Sequence, residues 1–130
     1  MAHFIDTNIA VYALLPGPNA ERALAVLSGA VISVQVLNEF ANVSLRKFGL
    51  TESDLDRKIA ELRGEVDTIA VIDEATHDLA RQIAFRYKLA FYDSALLASA
   101  LLADCGVFYS EDMREGMVIE NCLTIRNPFL

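Results

Sequence analysis

The sequence predicts an α/β fold with a mostly parallel sheet covered by helices on both faces, and three observations lead there. Short apolar runs (AHFI at 2–5, Ala30 to Ile32, Asp67 to Ile72, Val107 to Tyr109) alternate with longer stretches of helical periodicity. Strands that alternate with helices in this way pair in parallel and are buried on both faces. Alanine and leucine dominate a composition that is 54% hydrophobic with only three prolines, which leans helical and excludes a disordered chain. With 130 residues and no internal repeat, linker or low-complexity tract, residues 1–130 are expected to form a single domain.

Residues 2–5 read as a buried strand, and Thr7 to Leu15 as a helix stopped by Pro16-Gly17-Pro18. From Asn19, ERALAVL gives a second short helix ending at Ser28-Gly29. After the strand at 30–32, Ser33 is placed to cap a helix carrying VQVLNEFANVSLRKF up to Gly49. Thr51 opens an amphipathic helix, TESDLDRKIAELRG, whose Thr51–Asp54 spacing resembles a capping box with Asp in place of Glu or Gln. DTIAVI is the next strand, and residues 73–88 are a long helix with Ala75, Leu79, Ile83 and Tyr87 along one apolar stripe. A further helix runs from about Tyr92 to Asp104 and stops before Gly106. Val107-Phe108-Tyr109 is strand, 110–116 loop, and Val118-Ile119 and Leu123 to Ile125 are short final strand pieces.

A net charge of −7 and a pI near 4.7 leave no global basic field, the usual footprint of a nucleic-acid binder. Any such contact must be local or mediated by cations. The basic clusters Arg46-Lys47, Arg57-Lys58 and Arg81 with Arg86 and Lys88 are each explained as well by a solvated helix face. Cys105 and Cys122 lack a CxxC partner or a histidine at finger spacing, which excludes a zinc site. The start has neither Lys nor Arg nor a signal-type apolar stretch, and Asp93 and Asp104 interrupt the most apolar region. A cytoplasmic protein with reduced thiols and no membrane contact is the expectation.

Four acids stand out once placed on this outline. Asp6 follows the first strand, Glu39 lies in the helix after the second, Asp112 follows the VFY strand, and Asp93 falls in the first turn of its helix. The carboxyl edge of an open parallel sheet is where ligands bind. Glu39 and Asp93 both project from partly apolar faces, flanked by Val36 and Val43 and by Leu96 and Leu97. Arg86 is the one arginine near enough in sequence to pair with Asp93. Buried carboxylates need a hydrogen-bonded partner or a metal, and several together without counter-charge suit a hard divalent cation that takes oxygen ligands. Each acid also has a plain reading: Asp6 as helix cap, Glu39 as a half-exposed helix residue, Asp93 as a dipole-favoured acid, Glu111 and Asp112 as solvated loop residues. One metal site accounts for all four positions together; Asp104, at the far helix end, has no role in it.

The stretches FIDTNIAVYAL, ISVQVLNEFANV, LAFYDSALLASALLADCGVFYSEDM and the late NPFL resemble the PIN-domain ribonucleases, and within them the toxins of VapBC-type toxin–antitoxin pairs. The resemblance runs over essentially the whole chain and implies a three-layer α/β/α sandwich with a central, mostly parallel sheet. It matches Asp6, Glu39, Asp93 and Asp112 to the family's metal-binding catalytic acids. Thr7 or Asn8, and Ser110, match polar positions that orient the acids or bound water. Glu111 competes with Asp112 in the SEDMREG loop, and the family spacing of hydroxyl, any residue, Asp favours Asp112. The implied chemistry is hydrolysis of RNA by water activated on Mg²⁺ or Mn²⁺, leaving 5′-phosphate and 3′-hydroxyl ends. The implied partners are an RNA substrate, a small antitoxin covering the acidic site and a second copy of the chain.

Three other readings compete. A phospho-acceptor receiver needs acidic neighbours near the first strand and a late lysine, whereas Asp6 has no acidic neighbour and no lysine follows Lys88. A haloacid-dehalogenase-like phosphatase needs a second aspartate that DTN lacks. A PIN-like module that binds metal or a partner without cleaving is opposed by the complete set of acids.

Overall fold

The computed structural model describes residues 1–130. In chain order the elements are β1 (His3–Ile5), α1 (Thr7–Leu14), α2 (Ala20–Leu27), β2 (Val31–Ser33), α3 (Val34–Arg46), α4 (Glu52–Glu65), β3 (Thr68–Ala70), α5 (Glu74–Tyr87), α6 (Phe91–Leu102), β4 (Val107–Tyr109), β5 (Val118–Ile119) and β6 (Leu123–Arg126). The six strands form one sheet in the order β3-β2-β1-β4-β6-β5. All pairings are parallel except β5 with β6. This is the mostly parallel α/β sheet expected from the sequence.

The core follows from the strand sequences. Phe4, Ile5, Ile32, Phe108 and Ile125 are all fully buried within one cluster of 25 residues. Phe4 and Phe108 are register partners on β1 and β4, and their rings stack with centroids 5.3 Å apart. Burying each such ring contributes roughly 1.5–3 kcal/mol, so β1 and β4 are held at the centre of the sheet by more than their hydrogen bonds. The order of strands has a consequence for the site. From β1 the chain moves outward through β2 to β3, then returns to lay β4 on the other side of β1. The direction of winding reverses between β1 and β4, and such a switch point opens a crevice at the carboxyl ends of the strands.

Four local expectations are revised. Ser33 precedes α3, but its hydroxyl makes no cap bond; it closes β2 and is fully buried without a hydrogen-bond partner. The Thr51 hydroxyl does cap α4 by accepting from Asp54 N, yet Asp54 turns its carboxylate to Arg57 rather than back to the cap. The reciprocal capping box belongs to Asp73 and Thr76 on α5, where Asp73 accepts from Thr76 N and Asp73 N donates to the Thr76 hydroxyl. That box turns α5 so that Thr76, Ala80 and Ile83 are buried, leaving Ala75 exposed and Leu79 and Tyr87 partly covered. Finally, β3 is shorter than DTIAVI, with Val71 and Ile72 exposed, because it is the edge strand and has a neighbour on one side only. Both cysteines are free thiols, and no helix is long and apolar enough to cross a membrane.

Candidate active site

The crevice between β1 and β4 begins with Asp6, whose extended backbone (φ −71°, ψ 157°) ends the strand and opens α1. Its amide donates to Tyr109 O on β4 at 3.0 Å, and its Oδ1 accepts from Thr7 N at 2.7 Å. The two readings of Asp6 are therefore compatible: one carboxylate oxygen caps the helix, and the other faces the crevice. That second oxygen, Oδ2, accepts a hydrogen bond from the buried Ser110 hydroxyl at 3.0 Å. Ser110 Oγ in turn accepts from Met113 N at 3.2 Å, which folds the loop after β4 back over the sheet edge.

The other acids are oriented by the same polar residues. Thr7 donates its hydroxyl to Glu39 Oε1 at 2.5 Å, joining the start of α1 to α3. Asn8 donates from Nδ2 to Asp112 Oδ2 at 2.9 Å. Glu111 turns away, accepting from the Tyr12 hydroxyl at 2.6 Å, and this bond is the main cause that raises the Tyr12 phenol above its ordinary value. Asp112, and not Glu111, thus faces the other acids. Asp93 stands in the first turn of α6 beside them, with no hydrogen-bond partner of its own to relieve its charge.

Electrostatics tie the four into one group. Burial pushes the Asp6 carboxyl up to about 6 against the Ser110 and Thr7 hydrogen bonds, with Asp93 and Glu39 adding like-charge repulsion. Partial burial also raises Asp93, with Glu39 and Asp112 contributing. Arg86 pairs instead with Glu120 at the β5–β6 turn, and Lys88, nearer to Asp93 in sequence, lies over the Phe85 ring. None of the four ion pairs of the chain includes Asp6, Glu39, Asp93 or Asp112. No three of these side chains close around a single point at metal-ligating distance; like charges spread, and three of the acids take Ser110, Thr7 and Asn8 as partners. The surface hollows lined by Asn19 to Arg22 on α2 and by Asp78, Arg81 and Phe85 on α5 contain none of these acids. As a donor set, four carboxylates with no cation among them suit a hard divalent ion. The sequence reading missed Tyr12, which is 99 residues from Glu111 and carries no local signal for that bond.

The sequence model of the PIN domain matches residues 3–114, a span that contains all four acids. The chain belongs to the PIN-domain family. PIN domains are in general nucleases, and a carboxylate cluster at a sheet switch point fits that class. Among solved structures, a toxin–antitoxin complex from Klebsiella pneumoniae contains a chain of the same fold, with TM-score 0.74 and 21% identity over 98% of both chains. A second is VapBC2 from Rickettsia felis bound to a DNA fragment from its promoter, with TM-score 0.72 and 20% identity, again over 98% of both chains. At that identity the likeness is one of fold. No curated protein sequence matches this PIN domain.

Proposed function

We propose that this PIN domain, residues 1–130, is a metal-dependent endoribonuclease and the toxin of a VapBC-type toxin–antitoxin pair. The observation that carries the reading is the convergence of Asp6, Glu39, Asp93 and Asp112 at the β1/β4 switch point with no ion-pairing cation. The nearly complete two-way overlap with chains of toxin–antitoxin complexes supports the biological setting.

In this reading Asp6, Glu39 and Asp93 would hold Mg²⁺ or Mn²⁺, with Asp112 as a further ligand or the group that positions water. When bound, the ion supplies a more acidic water and offsets charge that grows on the phosphoryl oxygens. The chain's own residues do the rest. Thr7 and Asn8 each hold one oxygen of Glu39 and Asp112 and leave the other free, while Thr7 N and Ser110 hold both oxygens of Asp6, whose remaining lone pairs would meet the ion. Burial raises the Asp6 carboxyl to about 6 in the absence of a cation, so binding of the ion would displace a proton there and weaken as the pH falls. An antitoxin segment that covers the acids, a second copy of the chain and a cytoplasmic location complete the proposal.

The test is cleavage of total RNA by the purified chain. Cleavage is expected with Mg²⁺ or Mn²⁺ and none in EDTA, with 5′-phosphate on the products. Persistent cleavage in EDTA, or full activity in both Asp6→Asn and Asp93→Asn, overturns the metal mechanism. A chain that binds metal but cleaves nothing is the silent PIN-like module instead.

A further inference from the structure

We propose that Tyr92, braced by Phe91 and one residue before Asp93 on α6, is a stacking platform for an unpaired nucleobase of the RNA; the proposal rests on the ribonuclease reading above. Two aromatic residues open α6 immediately before Asp93, and both stay in solvent, Tyr92 66% exposed and Phe91 39%. Fully burying a ring of this size contributes roughly 1.5–3 kcal/mol, so two exposed rings next to a carboxylate cluster forgo stabilisation that the core would give them. They are also ordered relative to one another. The Phe91 and Tyr92 rings meet edge to face at 5.5 Å, and the Phe91 ring lies 5.8 Å from the His77 ring on α5. Tyr92 is therefore backed by a small aromatic cluster that limits its freedom before any ligand arrives.

Charge argues for the occupant. The protein carries −7 overall, and no arginine or lysine pairs with the acids of the site. Phosphate contacts, which supply most non-specific affinity in basic binders, find no cationic side chain paired with the acids of the site, so an uncharged contact has more to contribute here. Base stacking needs no charge, tolerates any sequence, and requires a base whose face is free. A platform one residue before Asp93 on the same helix would thus engage a nucleotide of the strand entering the site and select unpaired segments over duplex. Phe85 is more exposed, at 80%, but it lies on α5, which carries none of the four acids, with the Lys88 ammonium 5.2 Å from its ring centroid. It serves as the control for a general effect of exposed rings.

The experiment measures binding of a short unstructured oligoribonucleotide carrying 2-aminopurine to the full chain, with Ca²⁺ in place of Mg²⁺ to slow turnover. A duplex of the same sequence is the reference, and Mg²⁺-dependent cleavage is followed in parallel. Loss of one stacked base in Tyr92→Ala should weaken single-strand binding roughly 5- to 100-fold. The same change should remove the quenching of 2-aminopurine, raise KM more than it lowers kcat, and leave duplex binding unaltered. Tyr92→Phe should keep the stack, and Phe85→Ala should behave as the unaltered chain. If Tyr92→Ala binds RNA normally while the unaltered chain cleaves it, the platform is refuted and the nuclease stands. The platform is equally refuted if the change disturbs only self-association or antitoxin binding. If the unaltered chain neither binds nor cleaves RNA, the nuclease reading falls first and the platform with it.

Discussion

On the periphery of the molecule, four acids are ion-paired: Glu120 with Arg86, Glu115 with Arg126, Asp54 with Arg57 and Glu61 with Lys58. At the carboxyl edge of the sheet, Asp6, Glu39, Asp93 and Asp112 meet hydroxyls, an amide, backbone N–H and one another, but no ion-pairing cation. The two regions also titrate in opposite directions. Burial and repulsion raise Asp6 to about 6, whereas hydrogen bonds from Asn127 N and Arg126 hold Glu115 below its ordinary value. The difference teaches where the chain tolerates electrostatic cost. Exposed pairs contribute little and can be placed anywhere, while Asp6, shielded from water and raised by that burial, carries a cost that marks a candidate functional group.

The largest effect expected from breaking this contrast is on activity. Asp6→Asn or Asp93→Asn should remove metal-dependent RNA cleavage to below detection, a greater loss than the roughly 10–100-fold that a missing outer partner of a metal ligand costs. Arg86→Ala, which breaks a peripheral pair, should stay within about twofold of the unaltered rate in the same assay, as expected for an exposed ion pair.

Next come the residues that aim the acids. Ser110→Ala removes the donor to Asp6 Oδ2, and Thr7→Val the donor to Glu39 Oε1. Each should raise the Mg²⁺ concentration needed for half-maximal cleavage by roughly 10–100-fold, with smaller change in the rate at saturating metal. A Mg²⁺ dependence identical to that of the unaltered chain would show that these hydrogen bonds serve the fold alone.

Stability sharpens the contrast by sign. A carboxyl raised from 3.8 to about 6 gives its full contribution to stability below 3.8, and loses it as pH rises through 6. The penalty at neutral pH is at most roughly 3 kcal/mol. Asp6→Asn should therefore melt higher than the unaltered chain in EDTA, and the gap should widen from pH 5 to pH 8. Glu115 runs the other way: its contribution is present above its ordinary value of 4.5 and is lost as pH falls through its lowered value. Glu115→Gln should lower the melting temperature slightly at neutral pH, by the smallest margin of these variants. Added salt should shrink that effect further, since exposed pairs are screened.

Most of the fold was legible because its signals are local. Apolar strands, the Pro16-Gly17-Pro18 stop and the Thr51 cap each lie within a few residues of the element they define. Errors arose where a local signal had two uses. Ser33 has the right residue type for a cap but is spent in the buried end of β2, and the rotation of α5 is set by the Asp73–Thr76 box rather than by its most apolar stripe. Asp6 and Asp112 stood out because they follow strand ends, and Glu39 and Asp93 because they lie on partly apolar helix faces. What the sequence could not show is which polar group meets which acid, because the Asp6–Ser110 and Asn8–Asp112 bonds each span 104 residues and exist only after β4 is laid against β1.

Calorimetric titration of Mn²⁺ into the purified chain at neutral pH tests the central claim most directly. Saturable binding is expected in the unaltered chain and in Glu115→Gln, and its loss in Asp6→Asn and Asp93→Asn with their folds retained by circular dichroism. Equal Mn²⁺ binding by Asp6→Asn, Asp93→Asn and the unaltered chain, or no binding by any of them, would contradict a metal centre built from these carboxylates.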